Sequence, residues 1–164
     1  MRGKKLPEFW IQRDTREHDT RGWFWKEEVK KPGLCRVLGT IEECISAGDY
    51  TIKGLEDKVV IERKTGFSEL FGNMSPKENK IRFEKEMIKL ESVQHKYILI
   101  ESSLSNDILS LGIPQHYKGP PASRVLDWII SLGIDYNVNI LFVGNTGKRV
   151  ARTIFDNIVR KYQI

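Results

Sequence analysis

The run Gly48-Asp49-Tyr50-Thr51-Ile52-Lys53-Gly54-Leu55-Glu56-Asp57-Lys58-Val59-Val60-Ile61-Glu62-Arg63-Lys64 decides the fold. Tyr50 to Lys53 and Lys58 to Lys64 are rich in β-branched and aromatic residues, and Gly54 to Asp57 between them reads as a turn. A hairpin centred between Leu55 and Glu56 places Asp49 opposite Glu62. Directly opposed strand residues hold their β-carbons about 5 Å apart. Two carboxylates that close repel unless one is protonated or a cation lies between them. Strand alternation puts Lys64 on the face of Glu62 and turns Arg63 to the other face. Two acids and a lysine on one patch are the minimum set for metal-assisted phosphodiester hydrolysis. The acids hold a hard divalent ion such as Mg²⁺ or Mn²⁺, and the lysine steadies the charge developing on the phosphate or orients a water. The competing reading is a surface ion-pair cluster, which chance supplies readily in a chain with 30% charged residues.

Outward from the hairpin, Phe9 to Arg13 reads as a first strand and Leu38 to Cys44 as another. Residues 18–33 are charged and aromatic without a clear period, a loop or short helix. Phe67 to Gly72 reads as a short helix. Ser75-Pro76-Lys77-Glu78 predicts a helix start: Ser75 caps, Pro76 takes the first turn, and Glu78 reaches back to complete a capping box. That helix runs to about Glu91, with Phe83, Met87 and Leu90 on one face. Lys96 to Ile100 is an apolar strand of buried character. Asn106 to Leu111 is a short helix. Ser123 to Leu132 is another, with Val125, Leu126, Ile129 and Ile130 inward. Val138 to Val143 is the last strand. Gly147 to Tyr162 is the last helix, with Val150, Ile154, Ile158 and Tyr162 at spacing four. Strands first in hairpins and then alternating with helices predict an α/β fold, a mixed sheet flanked by helices, as a single domain over residues 1–164.

Composition sets the outer bounds. The chain is long enough for one compact domain with a real core. No apolar run approaches the roughly 20 residues that span a bilayer, so no membrane partner is expected. Met1-Arg2-Gly3-Lys4-Lys5 is basic but runs into Pro7-Glu8, which does not predict a secretory signal. Cys35 and Cys44 suit no zinc spacing, and an intracellular compartment, prokaryotic cytoplasm or eukaryotic nucleus, is expected. Lys and Arg exceed Asp and Glu by 27 to 22, for a formal charge of +5. That balance fits a phosphate-bearing partner.

The acids and the lysine sit in a phrase that resembles the nuclease domain of XPF-type structure-specific endonucleases, a branch of the PD-(D/E)-x-K nucleases. The signature of that family is GD, a variable gap, then ERK-x-x-x-D. Here it stands as Gly48-Asp49, then Glu62-Arg63-Lys64, then an acid at Glu69. Upstream, Ile11-Gln12-Arg13-Asp14-Thr15-Arg16-Glu17 is similar to the family's apolar strand ending in D-x-R-E. The order of elements matches over about residues 9 to 162, most closely in the single-domain versions of phage and mobile-element proteins. The resemblance implies a restriction-endonuclease-like fold. It also implies a metal-dependent endonuclease acting on branched or flapped DNA, as in DNA repair and recombination. It makes Asp49, Glu62, Lys64, Arg63 and Asp14 catalytic, with Asp49, Glu62 and Asp14 on the metal. The backbone carbonyl of Arg63 is a further candidate ligand, Glu17 is a supporting acid, and the late helices help form a dimer. Two departures stand out. Four residues, Thr65 to Ser68, separate Lys64 from Glu69, which reads as an insertion at Gly66. The tandem helix-hairpin-helix domain of larger members has no counterpart in residues 1–164, so their substrate preference does not carry over.

Several features admit two readings. Asp14 is an acid of the metal site or a turn-former. Arg63 holds Asp14, contacts backbone phosphate or makes a structural salt bridge. Glu69 belongs to the site or to a helix surface. Arg16 flanks the acids as a DNA contact. Arg82, Lys85 and Lys89 form a DNA-tracking stripe or a solvated face. Trp23, Phe24 and Trp25, with Arg21 and Lys26, stack on unpaired bases or lid the core. His18, His95 and His116 are scattered and suggest no metal triad. The apolar content of residues 124–134 and 150–162 serves a core or a homodimer face. Two alternatives to an endonuclease of branched DNA follow: a non-catalytic DNA-binding subunit of a nuclease heterodimer, and a junction-resolving or restriction-type nuclease.

Overall fold

The computed structural model describes residues 6–17, 22–104 and 122–162. Strands β1 (Glu8–Asp14), β2 (Arg36–Glu43), β3 (Tyr50–Ile52), β4 (Val59–Lys64), β5 (His95–Ile100) and β6 (Asn139–Phe142) form one sheet in the order β2-β1-β3-β4-β5-β6. β3 runs antiparallel to both of its neighbours, and every other pairing is parallel. The carboxyl ends of β1, β4, β5 and β6 and the start of β3 therefore share one edge of the sheet. In open α/β sheets that edge is where ligands bind.

Both faces of the sheet are covered, which is why its central strands are apolar without alternation. Val59, Val60 and Ile61, and likewise Ile98, Leu99 and Ile100, are almost fully buried. Helices α1 (Phe67–Met74), α2 (Lys77–Lys89) and α3 (Ala122–Asp135) pack on one face. Their core joins Phe83, Met87 and Trp128 to Val60, Ile98 and Ile100. On the other face lie α4 (Gly147–Tyr162), entered through a 3₁₀ turn at Gly144–Thr146, and the segment carrying Trp23 and Trp25. Phe155, Trp23 and Trp25 there meet Ile11, Tyr50, Ile61 and Leu99. Each large apolar side chain so buried contributes about 1.5–3 kcal/mol. None of the helices among the described residues is long and apolar enough to cross a membrane.

The α/β architecture and most of the expected elements are present, with instructive differences. β2 begins at Arg36 because it pairs from Glu8↔Arg36, and Leu38 is an extra residue between Val37 and Gly39. The bulge lets Trp10 lie over Gly39, where a β-carbon would stand 2.7 Å from the indole. Residues 22–35 carry no helix. The expected capping box at Ser75 does not form. Only Ser75 and Pro76 separate α1 from α2, and the Ser75 amide is spent on the Phe71 carbonyl that ends α1. Pro76 takes the cap position of α2, with no side-chain cap. On α3, Val125 and Ile129 are buried as expected, but Ile130 is 45% exposed. One further residue turns a helix by about 100°, so Ile130 leaves the core and Trp128 and Leu132 enter it. On α4 the buried line is Gly147, Ala151, Phe155 and Val159. Val150, Ile154 and Tyr162 pack as its shoulder. The reason is Gly147, where a β-carbon would stand 2.5 Å from the Trp23 ring. The helix approaches along its smallest residues. The helix expected at Asn106–Leu111, Arg21, His18 and His116 lie outside the described residues.

A buried ionic knot ties α4 to the loop before β2. Asp156 accepts the Cys35 amide at 2.9 Å and the Arg160 Nε at 2.6 Å. Arg152 reaches Glu28 at 2.8 Å and the Cys35 carbonyl at 2.6 Å. Burial opposes ionisation of Asp156, yet the Arg160 and Cys35 bonds win and hold its carboxyl below the usual range. Removing Asp156 leaves the buried Cys35 amide without its acceptor, whereas Arg152 keeps Glu28 and the Cys35 carbonyl. Asp156→Ala is expected to lower the free energy of unfolding by about 1–2 kcal/mol, measured by urea denaturation. The contribution holds above the usual carboxylate range and is lost as pH falls through the depressed value.

Candidate active site

β3 and β4 keep the register read from the sequence: Tyr50 pairs with Ile61, so Asp49 stands opposite Glu62. The Asp49 amide donates to the Ile61 carbonyl at 2.9 Å. Its Oδ2 accepts the Arg63 amide at 2.7 Å. Gly48, at φ +81, makes this approach possible: a β-carbon there would lie 2.3 Å from Val60 Cγ2. Val60, Glu62 and Lys64 face the α1–α3 side, whereas Ile61 and Arg63 face α4.

Lys64 is nearly buried between carboxylates. Its Nζ lies 2.9 Å from Glu62 Oε1 and 3.4 Å from Glu69 Oε1, and 4.8 Å from the Phe83 ring centroid. Burial alone would lower its pKa, but Glu62 and then Glu69 outweigh burial and push it up. Lys64 is therefore an ammonium at neutral pH. In that state it neutralises its carboxylates and donates hydrogen bonds. Glu69 also accepts the Thr65 amide and hydroxyl at 2.7 and 2.8 Å. It closes the first turn of α1 and reaches the site only through Lys64.

Asp49 shows the opposite stress. Burial and the neighbouring Glu62 charge push its carboxyl well above the usual range, and the Arg63 amide offsets only part of this. Two carboxylate oxygen sets held together at such a cost suit a hard divalent cation. Asp49 and Glu62 are the residues that could hold one. Asp14, from the end of β1, lines the same cleft of about 200 Å³ with Arg16, Gly48, Asp49, Glu62 and Glu86. Its amide donates to the Asp49 carbonyl at 2.8 Å. Its carboxylate, however, is fully engaged. Oδ1 accepts the Arg16 amide and Nε, both at 2.7 Å, and Oδ2 accepts Arg16 Nη2 at 3.0 Å and the Ile45 amide at 2.8 Å. Burial would raise its pKa, but these bonds lower it. Among the described residues, no three acidic, histidine or cysteine side chains are arranged as a ligand cage.

The other expected residues divide by face. Arg63 makes salt bridges across the sheet from the acids, with Glu17 at 2.9 Å and Glu101 at 2.8 Å, and lies over the Trp23 ring. Its side chain reaches neither Asp14 nor the cleft, and Glu17 supports it. Trp23 and Trp25 are core residues, with Trp23 Nε1 donating to Glu101 and its amide to the Tyr50 hydroxyl. Phe24 alone of the three aromatics is exposed. His95 pairs with Tyr162, and Cys35 and Cys44 are free thiols. Arg82, Lys85 and Lys89 are exposed on α2. Arg82 and Lys89 neighbour Glu86 at helical spacing, and Lys89 pairs with it at 2.7 Å.

Two residues were not anticipated. Glu86 enters the cleft only because α2 packs across β4, which no local pattern announces. Glu101 follows β5, the parallel neighbour of β4, and that position at the ligand edge was a readable signal. A larger cavity, about 440 Å³, lies between α4 and the loop before β2, lined by Val29, Leu34, Arg149 and Arg152 among others. Neither Asp49 nor Glu62 lines it.

Residues 13–151 match the ERCC4 domain, and the chain belongs to that family. Two solved structures share its fold. XPF from Aeropyrum pernix superposes with a TM-score of 0.56 at 17% identity, over 94% of this chain and 65% of that one. XPF from Aeropyrum pernix in complex with DNA gives 0.59 at 18% identity, over 93% and 66%. The chain thus spans a little under two thirds of the length of either. No curated protein matches it.

The strain at Asp49 has a measurable sign. A carboxyl whose folded pKa is raised destabilises the fold at neutral pH, and the penalty disappears as pH falls below the usual carboxylate range. Asp49→Asn removes the charge and keeps the shape. It is expected to stabilise the protein in chelator by about 1 kcal/mol, roughly 2–4 °C in melting temperature for a domain of this length. The gain should vanish at pH 3. Scanning calorimetry at both pH values checks this.

Proposed function

We propose that this chain is a DNA endonuclease that uses Mg²⁺ or Mn²⁺ and hydrolyses phosphodiester bonds at branched or flapped DNA. The observation that carries the reading is the Asp49–Glu62 pair, set face to face beside a cationic Lys64 at the ligand edge of an ERCC4 domain. The Asp49 and Glu62 oxygens would hold the divalent ion. When bound, that ion supplies charge neutralisation at the scissile phosphate and lowers the pKa of water. Lys64 donates to the phosphate as negative charge builds, from a buried position where that interaction is strong. Arg63 keeps its backbone amide on Asp49 while its side chain fixes β4 against Glu17 and Glu101. Arg82, Lys85 and Lys89, exposed on the helix that brings Glu86 to the cleft, supply phosphate contacts for a duplex arm. The XPF solved with DNA supports DNA as the partner. A homodimer through the C-terminal helices is supported by exposed Ile130 and Ile134 on α3.

The test is cleavage of labelled flap, splayed-arm, four-way-junction and linear duplex DNA in Mg²⁺, Mn²⁺ or chelator. Metal-dependent cutting of the branched forms is expected. Asp49→Asn and Lys64→Ala should each cut at least a hundredfold more slowly, with near-native circular dichroism. Binding without cutting under every metal would instead make the chain a non-catalytic DNA-binding subunit. Full activity in Asp49→Asn would sink the assignment.

A further inference from the structure

Asp14 poses a specific problem for the cleft. It stands at the end of β1 beside Asp49, yet all of its accepting capacity facing the cleft is taken by one side chain. Arg16 forks onto it through Nε and Nη2, at 2.7 and 3.0 Å. Arg16 itself is 58% exposed, whereas the Asp14 side chain is 1% exposed. Its Nη2 also donates to the Ile45 carbonyl at 2.9 Å, and its Nη1 has no partner among the described residues. The fork is therefore an exposed cation laid on a buried anion.

The fixed anion is prepared for a second partner. The Arg16 amide holds Oδ1 and the Ile45 amide holds Oδ2, at 2.7 and 2.8 Å. Backbone bonds of that kind orient a carboxylate whether or not the guanidinium is present. If the side chain of Arg16 leaves, each oxygen keeps one donor and regains one free lone-pair direction. A phosphate is the natural competitor for the fork. Its two oxygens match a guanidinium as a carboxylate does, through two parallel charge-assisted bonds. Glu86 lines the same cleft, near enough for its charge to act on Arg16.

We propose that Arg16 couples nucleic-acid binding to cation binding: a backbone phosphate takes its guanidinium from Asp14, and the released Asp14 joins Asp49 and Glu62 as a third oxygen donor for the divalent ion. This rests on the reading of the cleft as a cation site. Without DNA the site offers two acids and binds the ion weakly; with DNA it offers three. The arrangement withholds hydrolytic power until a substrate backbone is in place. By reciprocity, the ion tightens DNA binding by the same factor.

The experiment is a Mn²⁺ titration, followed by the electron paramagnetic resonance of the free ion, on the whole chain. Wild type, Arg16→Gln, Asp14→Asn with Arg16→Gln, and Asp49→Asn are compared with and without a phosphorothioate-backboned flap duplex. Without DNA, Arg16→Gln is expected to bind Mn²⁺ at least about fivefold tighter than wild type, the low end of typical coupling between sites. DNA should tighten wild type by a larger factor than it tightens Arg16→Gln. The double variant should lose the gain. An affinity in Arg16→Gln equal to or weaker than wild type overturns the coupling, and this comparison stands even if the buried Asp14 change impairs folding. A gain that survives in the folded double variant also overturns it, since net charge alone would then account for the effect. Asp49→Asn separates the two levels of argument. If it binds Mn²⁺ as wild type does, the cation site itself has been misplaced. If it abolishes binding while Arg16→Gln changes nothing, only the coupling fails.

Discussion

The pairing of β3 with β4 is the constraint on which this molecule turns. A single register, Tyr50 against Ile61, brings Asp49 to Glu62 and sends Lys64 and Arg63 to opposite faces. A slip of one residue would exchange the faces. The core holds the register from both sides: Val60 lies under α1 and α2, and Tyr50 and Ile61 lie under Trp23 and Trp25. The apolar burial that forms the domain is thus what holds two carboxylates in mutual repulsion. The strain at Asp49 is small against the packing of the two faces, so the fold tolerates it.

The two faces treat charge differently. On the α4 face, Arg63 is matched by Glu17 and Glu101 and roofed by Trp23, so every charge has its partner. On the other face, Asp49 and Glu62 share one lysine, and that lysine is also shared with Glu69. The first arrangement is structural: it ties the loop after β1 to β4 and to the end of β5. The second leaves the Asp49 and Glu62 charges in mutual repulsion within a cleft. Adjacent residues of one strand serve both ends because alternation separates them by the thickness of the sheet.

Local patterns were legible where one periodicity ruled. The stripe Phe83, Met87 and Leu90 is buried as its spacing predicts, and the last helix begins and ends where its pattern does. They misled where two elements competed for the same atoms. Ser75 has the right side chain for a cap, but its amide belongs to α1. Val150 and Ile154 are the bulky residues of α4, yet the small ones, Gly147 and Ala151, lead the contact because Trp23 fills the space. The aromatic run at Trp23 to Trp25 could equally have faced bases. Bonds to Tyr50, Thr40 and Glu101 placed its two tryptophans in the core.

The sequence by itself determined the hairpin register, the face of Lys64 and the opposition of Asp49 to Glu62. Each follows from a period of two and a short turn, with no distant residue needed. Tertiary structure alone decided that Ile45, from the loop after β2, closes on the Asp14 carboxylate through its amide. It also brought Glu86, more than twenty residues downstream of Glu62, into the cleft, and it supplied Glu17 and Glu101 as the partners of Arg63 on the opposite face. Those outcomes depend on which elements lie side by side in the sheet and which helix crosses them. That is a matter of packing between distant segments, and no local spacing encodes it.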